Sequence, residues 1–278
     1  MFKELFFSSA ALLLLLSAQA QSIKTPAASP TQSIKQDFGI SAMELTYSRP
    51  SVKGRKVFGD LVPYGQVWRT GANAATRIKF SDDVTIGSTP VKAGEYVLYT
   101  IPGQNEWEVI LNKGLTNWGS DGYKTSDDVA RVKVKSITLP TPIETFTMQF
   151  ANIKSSSAEL HIMWDKTAVA LPITTDVETK VMAQINNAMN MDNRPYFQSA
   201  MYYVETGKDL NQALTWFNKA IEQNPNAFYM YYQKANVLKK LGRKEEARQT
   251  AQKSIELARQ QKNNDYISLN EKLLADLK

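Results

Sequence analysis

Two hydrophobic periods divide the chain. From about Ser41 to Thr175, apolar and polar residues alternate in short runs separated by glycine and proline, which is typical of β-strands. After Thr175 the apolar residues recur with a period of 3.6, which predicts helices. We therefore predict an all-β antiparallel sandwich or barrel over residues 38–175 and an all-α module over residues 176–278.

The predicted strands are short, and no helical stretch separates them, which favours antiparallel pairing. At 129–139, Val132 and Val134 alternate with charged residues, as expected for one half-buried strand. The other strands are predicted at 43–47, 77–80, 84–87, 93–103, 106–111, 146–150, 158–164 and 167–173. The core is predicted to contain Tyr96, Leu98, Trp107, Val109, Phe146, Phe150, Leu160 and Trp164.

A 34-residue repeat begins at Arg194. Asp176 is suited to cap a helix that precedes it and runs to about Asn190, and a capping helix is predicted at 262–277. The repeat positions are Ala213, Phe217, Ala220 and Pro225, and one period later Ala247, Ala251 and Ser254. Over about residues 194–260 this spacing resembles the tetratricopeptide repeat, which implies protein docking through a concave groove.

Residues 47–80 carry the densest set of candidate binding residues. Glycines and prolines fix turns there, so the large polar side chains should lie on a shaped loop. The guanidinium groups of arginine, the aromatic rings of tryptophan and tyrosine and the side-chain amide of asparagine together suit an anionic or sugar-like ligand. The same side chains would equally serve as structural partners for loop backbone. The candidate ligand-binding residues are Arg49, Arg55, Tyr64, Trp68, Arg69 and Asn73.

A second polar loop, residues 113–128, carries Trp118 and Tyr123. Long loops on a β scaffold are often functional. Trp118 is expected either to close one end of the sandwich or to stack on a ligand.

Several separated motifs resemble one family. YSRPSVKGR (47–55), FGDLVPYGQVWRTGAN (58–73), AGEYVLYTIPG (93–103) and EWEVILN (106–112) occur in the order found in a bacterial exported family known as domain of unknown function 2911. The resemblance covers about residues 38–175. It implies a domain boundary and no particular chemistry.

The first twenty residues predict an export signal. Lys3, the apolar run from Leu12 to Leu16 and the small residues up to Ala20 have the pattern of a secretory signal peptide (residues 1–20) cut after Ala20. Residues 21–37 are predicted to be a flexible leader. We therefore expect a periplasmic or secreted protein with no transmembrane segment after signal cleavage.

The composition argues against several kinds of catalytic, metal-binding and nucleotide-binding site. The chain has no cysteine and one histidine, His161, and it contains no phosphate-binding loop or EF-hand spacing. We therefore predict no catalytic residue, no metal and no cofactor, although a calcium site near Asp121 and Asp127 stays open. The basic excess lies in residues 194–278, with 14 Lys and Arg against 9 Asp and Glu, and reflects either an acidic partner or solvated helix faces.

These observations favour an exported, non-enzymatic adaptor that docks a protein through its helical repeats. Two alternatives remain: a β domain that binds a small anionic or glycan ligand through the loop at 47–80, and an envelope hydrolase. Nucleic acid is not an expected partner of an exported protein.

Overall fold

The computed structural model describes residues 25–277, so the predicted signal peptide lies outside the described residues. The chain divides between Thr175 and Asp176 into two compact units. We call the part up to Thr175 the β unit and the part from Asp176 the helical unit.

The β unit consists of two antiparallel sheets around one apolar core. Strand order is β1-β2-β3-β6-β7-β8 in the larger sheet and β5-β4-β10-β9 in the smaller one. The strands are β1 (Thr31–Phe38), β2 (Ser41–Ser48), β3 (Thr76–Phe80), β4 (Val84–Ile86), β5 (Thr89–Val91), β6 (Gly94–Ile101), β7 (Glu106–Asn112), β8 (Asp128–Lys135), β9 (Ile137–Ala151) and β10 (Ser157–Thr174).

The core lies between the two sheets and confirms the predicted sandwich. Trp107 on β7 and Trp164 on β10 are the largest fully buried side chains, and they belong to the same apolar cluster. Of the predicted core residues, Phe150 alone is only half-buried, and it packs against this cluster. The apolar side chains that alternate along each strand therefore point into one common interior between the two sheets.

The predicted leader is wrong over residues 31–37. β1 pairs with β2 along its whole length, from Thr31 with Ser48 to Phe38 with Ser41. It is an edge strand whose side chains are mostly polar, with Ile34 packed against the core. Because an edge strand needs few apolar residues, its sequence has the composition of a leader.

Two predicted strand boundaries also differ from the structure. Residues 129–139 are not one strand, because β8 ends at Lys135 and β9 begins at Ile137 in the other sheet. Conversely, the strands predicted at 158–164 and 167–173 form the single strand β10. An irregularity in pairing at Asp165, whose φ is 49°, bends the strand without ending it.

The helical unit is all-α over its described residues, as predicted. Asp176 caps α1 by accepting a hydrogen bond from the Thr179 amide at 3.0 Å. The helices are α1 (Val177–Ala188), α2 (Tyr196–Glu205), α3 (Leu210–Gln223), α4 (Phe228–Lys240), α5 (Lys244–Gln260) and α6 (Asn264–Asp276).

Small buried residues let the helices pack as two layers. Ala213 on α3 and Ala247 and Ala251 on α5 are completely buried. α4 contacts both α2 and α6, whereas α3 and α5 make no comparable contact with each other. Helices α2, α4 and α6 therefore form one layer of the stack, and we call it the concave layer because the corresponding helices line the concave surface in tetratricopeptide repeats. Within residues 25–277, no helix is long and apolar enough to cross a membrane.

Candidate functional site

The loop between β2 and β3 is held to both sheets at defined points. Trp68 and Thr100 on β6 exchange backbone hydrogen bonds of 2.8 and 3.0 Å, and Ser51 forms a bridge with Thr145 on β9. The buried hydroxyl groups of Thr70 and Thr100 lie 3.0 Å apart. The irregular backbone is thus satisfied internally, as a packed loop requires.

Trp68 inserts into an aromatic cluster. Its ring is nearly parallel to that of Trp164, with centroids 5.9 Å apart and an interplanar angle of 14°. Phe58, Trp107 and Phe146 meet Trp68 edge-on, at centroid distances of 6.1, 6.3 and 5.2 Å. The Trp68 indole N–H donates to the Gly71 carbonyl at 3.1 Å. The ring is therefore fixed in position, whatever else it contacts.

A cleft of about 360 Å³ opens beside this cluster. Trp68, Trp164, Leu61 and Val62 form its apolar wall. Its charged lining residues are Lys53, Arg55 and Arg69, and no described residue that lines it carries a carboxylate. The volume lies in the range of small-molecule sites, about 300–1,000 Å³.

None of the three cations of the cleft forms an ion pair with a described residue, although the Glu144 carboxylate accepts a hydrogen bond from the Lys53 amide at 2.9 Å. Arg55 donates to the carbonyls of Val52 and Ser51, at 2.9 and 2.6 Å, and so orders its own turn. The Arg69 Nε is buried and has no hydrogen-bond partner among the described residues. A buried N–H of a charged group without an acceptor is costly, so Arg69 is incompletely satisfied in this state.

The other three candidate residues lie outside the lining of the cleft. Arg49 donates to the Phe146 carbonyl at 3.0 Å and to the Thr147 hydroxyl at 2.9 Å, and so joins its loop to β9. Asn73 donates to the Ser29 carbonyl at 3.3 Å. Tyr64 lies over Gly59, where an added Cβ would come within 2.7 Å of the ring. The structure thus brings Arg55, Trp68 and Arg69 together and gives Arg49, Asn73 and Tyr64 structural contacts.

Lys53 is the cleft residue that sequence reasoning missed. The Arg55 amide donates to the Val52 carbonyl at 3.1 Å, which closes a turn with Lys53 and Gly54 at its centre. Both central residues have positive φ, 50° and 70°. The signal in the sequence that could have identified Lys53 is a basic residue directly before a glycine within the candidate loop.

Tyr47 and Arg49 fasten the larger sheet to the smaller one. The Tyr47 hydroxyl accepts a hydrogen bond from the Met148 amide at 2.9 Å. Burial raises the pKa of Tyr47, although the Met148 hydrogen bond and nearby Arg49 oppose this. The phenol therefore stays neutral and acts as a structural group.

The one histidine of the chain, His161, lies outside the lining of the cleft. His161 Nε2 lies 2.8 Å from Glu159 Oε2, and this contact lowers the pKa of Glu159, with a further contribution from Asn152. No serine hydroxyl of the described chain hydrogen-bonds to His161. Nor does any group of three or more His, Cys, Asp or Glu side chains in residues 25–277 have the proximity to hold a metal ion.

The second polar loop reaches the cleft region by its backbone. Trp118 is 70% exposed, so it does not close the sandwich. Gly119 lies against Arg69, and a Cβ added there would be 3.3 Å from the Arg69 Nη1. The Tyr99 hydroxyl donates to the Gly119 carbonyl at 3.1 Å and fixes this approach.

The helical unit has a cavity of its own. It measures about 440 Å³ and lies where the start of α2, the end of α3 and the start of α4 meet. Gln198 and Phe197 contribute from α2, and Tyr229 from α4, with Arg194 at one end. Polar and aromatic groups of this kind are common in protein interfaces.

Comparison with known families gives three matches. A family described as protein of unknown function (DUF2911) matches residues 29–173, which includes β1. Two descriptions of the tetratricopeptide repeat match residues 194–227 and 216–249, and the first coincides with the repeat unit that begins at Arg194. No curated protein matches the chain.

Proposed function

The chain belongs to the family described as protein of unknown function (DUF2911), and we propose that it is an exported adaptor that docks a protein partner through its helical unit. The observation that carries the proposal is the tetratricopeptide architecture of α2–α5 with α6 as the cap. Repeats of this type present an extended concave surface built from successive helices.

The concave layer offers features of a docking surface. The cavity at the ends of α2, α3 and α4 is lined by Gln198, an exposed residue, and by half-buried Phe197 and Tyr229. Aromatic side chains surrounded by polar groups supply much of the binding energy at protein interfaces. The surplus of basic residues in 194–278 favours a partner with an acidic surface.

Export is part of the proposal and rests on the pattern of residues 1–20 alone. It predicts that the cell contains a mature form that begins at Gln21 and is found outside the cytoplasm. N-terminal sequencing of the protein from fractionated cells tests this. Recovery of the uncut chain from the cytoplasm would contradict it.

Chemical cross-linking and capture from envelope extract tests the role of the helical unit. Residues 21–278 are compared with residues 21–175, since the chain divides between Thr175 and Asp176 into two compact units. The proposal predicts a partner retained by the longer chain and lost from the shorter one. Equal capture by both would place the interaction on the β unit and reject the role assigned to the repeats.

A further inference from the structure

We propose that the cleft beside Trp68 binds a small organic oxyanion of charge −2, with Lys53, Arg55 and Arg69 as its cationic contacts. This site is separate from the docking role of the helical unit, because all of its residues lie in the β unit. Three features of the cleft support the inference: its charge, the restrained side chain of Arg69 and the backbone strain at Lys53.

Charge is the first argument. Three cationic side chains line one cleft of about 360 Å³, and the nearby Glu144 carboxylate, which accepts from the Lys53 amide, is not part of the lining. Like charges gathered around a cavity repel each other, and an anion bound there removes the repulsion. A single negative charge would leave most of the excess in place, so the arrangement favours a dianion.

The restrained side chain of Arg69 supplies the second reason. Its Nε is enclosed by protein, so the base of the guanidinium is held in place. Gly119 lies against the same side chain, so the second polar loop restricts the guanidinium from the other side. Because the Nε itself has no accessible surface, an oxyanion in the cleft would bind the Arg69 guanidinium through its other N–H groups, and hydrogen bonds from arginine to oxyanions are among the strongest in proteins.

The conformation of Lys53 is the third argument. Its φ of 50°, followed by 70° at Gly54, places it first in a two-residue turn of the type in which Asn-Gly is favoured. Lysine has no side-chain interaction that stabilises the left-handed region. A strained residue at a candidate site is a reason to look for a function there. Here the strained turn places the cationic residue Lys53 in the lining of the cleft.

The apolar wall sets the kind of molecule that carries the charge. Trp68, Trp164 and Leu61 are large apolar residues that line the cleft together with its cations. Inorganic phosphate would leave this wall in contact with water, whereas a sugar ring or short carbon chain would cover it. The ligand class is therefore a phosphate monoester or a dicarboxylate with a small organic body.

Titration calorimetry of the full chain at constant ionic strength tests the proposal. The probes are glucose 6-phosphate, succinate, inorganic phosphate and neutral glucose. We expect one of the two organic dianions to bind more tightly than inorganic phosphate, and glucose not to bind. Tighter binding of glucose 6-phosphate would identify the ligand as a phosphate monoester, and tighter binding of succinate would identify it as a dicarboxylate. No heat with any of the three anions, or equal affinity for inorganic phosphate, would overturn the proposal.

Three variants locate the binding. Lys53→Asn removes the charge and keeps a residue suited to positive φ, and Arg69→Gln removes the second cation; each should weaken binding by about 10-fold or more. Lys262→Asn is the matched control, because Lys262 also has positive φ, 56°, but lies in the helical unit. Its affinity should be unchanged. Unaltered binding by both cleft variants, or an equal loss in the control, would contradict the assignment.

A thermal scan separates binding from damage to the fold. Both lysine-to-asparagine variants should be at least as stable as the parent chain, because asparagine adopts the left-handed region more readily. Lower affinity combined with unchanged or higher stability is the signature of a contact residue. Lower stability of Lys53→Asn would show that the lysine supports the loop and would overturn its assigned role.

Discussion

The rings of Trp68 and Trp164 stack across the β unit at 5.9 Å and 14°, and this contact joins the irregular loop to strand β10. Trp164 is 2% exposed, and its indole N–H donates to the Glu144 carbonyl at 3.3 Å. The same two rings line the proposed anion cleft. The packing that orders the loop therefore also shapes the site.

Trp164→Ala should destabilise the β unit by about 3–5 kcal/mol, because it removes a fully buried ring and leaves a cavity. Trp118→Ala is the control, since Trp118 is 70% exposed and its loss should change the free energy of unfolding by less than about 0.5 kcal/mol. Denaturant unfolding of the two variants checks this. Similar unfolding midpoints would show that the Trp68–Trp164 contact does not organise the loop.

Ala247→Leu should destabilise the helical unit by about 1–3 kcal/mol, because Ala247 is completely buried where α4 and α5 pack closely. For a domain of this size, each 1 kcal/mol corresponds to about 4–8 °C in Tm. Far-UV circular dichroism during heating measures the change. Gln252→Leu, at an exposed position on the same helix, is the control and should have little effect.

Lys234→Met should stabilise the helical unit at neutral pH. Lys234 is half-buried on α4, and burial lowers its pKa despite nearby Glu246, while Arg243 lowers it further. The folded state therefore binds fewer protons than the unfolded state just below the ordinary pKa of 10.5, and the free energy of unfolding rises with pH in that window.

Denaturant unfolding at neutral pH and at about pH 10 checks this. The gain from Lys234→Met should be larger at neutral pH and should shrink as the pH approaches the upper value. Lys240→Met, at an exposed position of α4, is the control and should show no such dependence. A loss of stability at neutral pH would mean that the amine makes a favourable contact.

The fold class followed from the sequence because the two periods are strong, but strand boundaries that depend on distant partners did not. β1 has only Ile34 and Phe38 as large apolar residues, so its pairing with β2 leaves little trace in its composition. At Ser136 the alternation continues across the point where the chain changes sheets. The two polar residues Asp165 and Lys166 suggest that a strand ends there, whereas β10 bends at this point and continues.

The site was predictable as a region and not residue by residue. The density of glycine and proline indicates an ordered loop, but whether an arginine faces backbone or cleft depends on partners far along the chain. Arg49 donates to the carbonyl of Phe146, which is 97 positions further along the chain. Nothing in the sequence near Arg49 indicates this partner. Lys53 joins the cleft through a strained turn that its residue type does not predict.

The central claim is that a partner docks on the concave layer of the helical unit. Its most direct test is partner affinity measured for Gln198→Arg and Asn218→Arg in the full chain. Both positions are exposed, and both variants add one positive charge, but Gln198 lines the cavity at the ends of α2, α3 and α4, whereas Asn218 on α3 is not one of its lining residues.

The partner for this measurement is the protein captured by residues 21–278 and not by residues 21–175. We predict that Gln198→Arg weakens its binding by about 10-fold or more, whereas Asn218→Arg leaves it unchanged. Equal affinity for the two variants, or a greater loss for Asn218→Arg, would contradict docking through the concave layer.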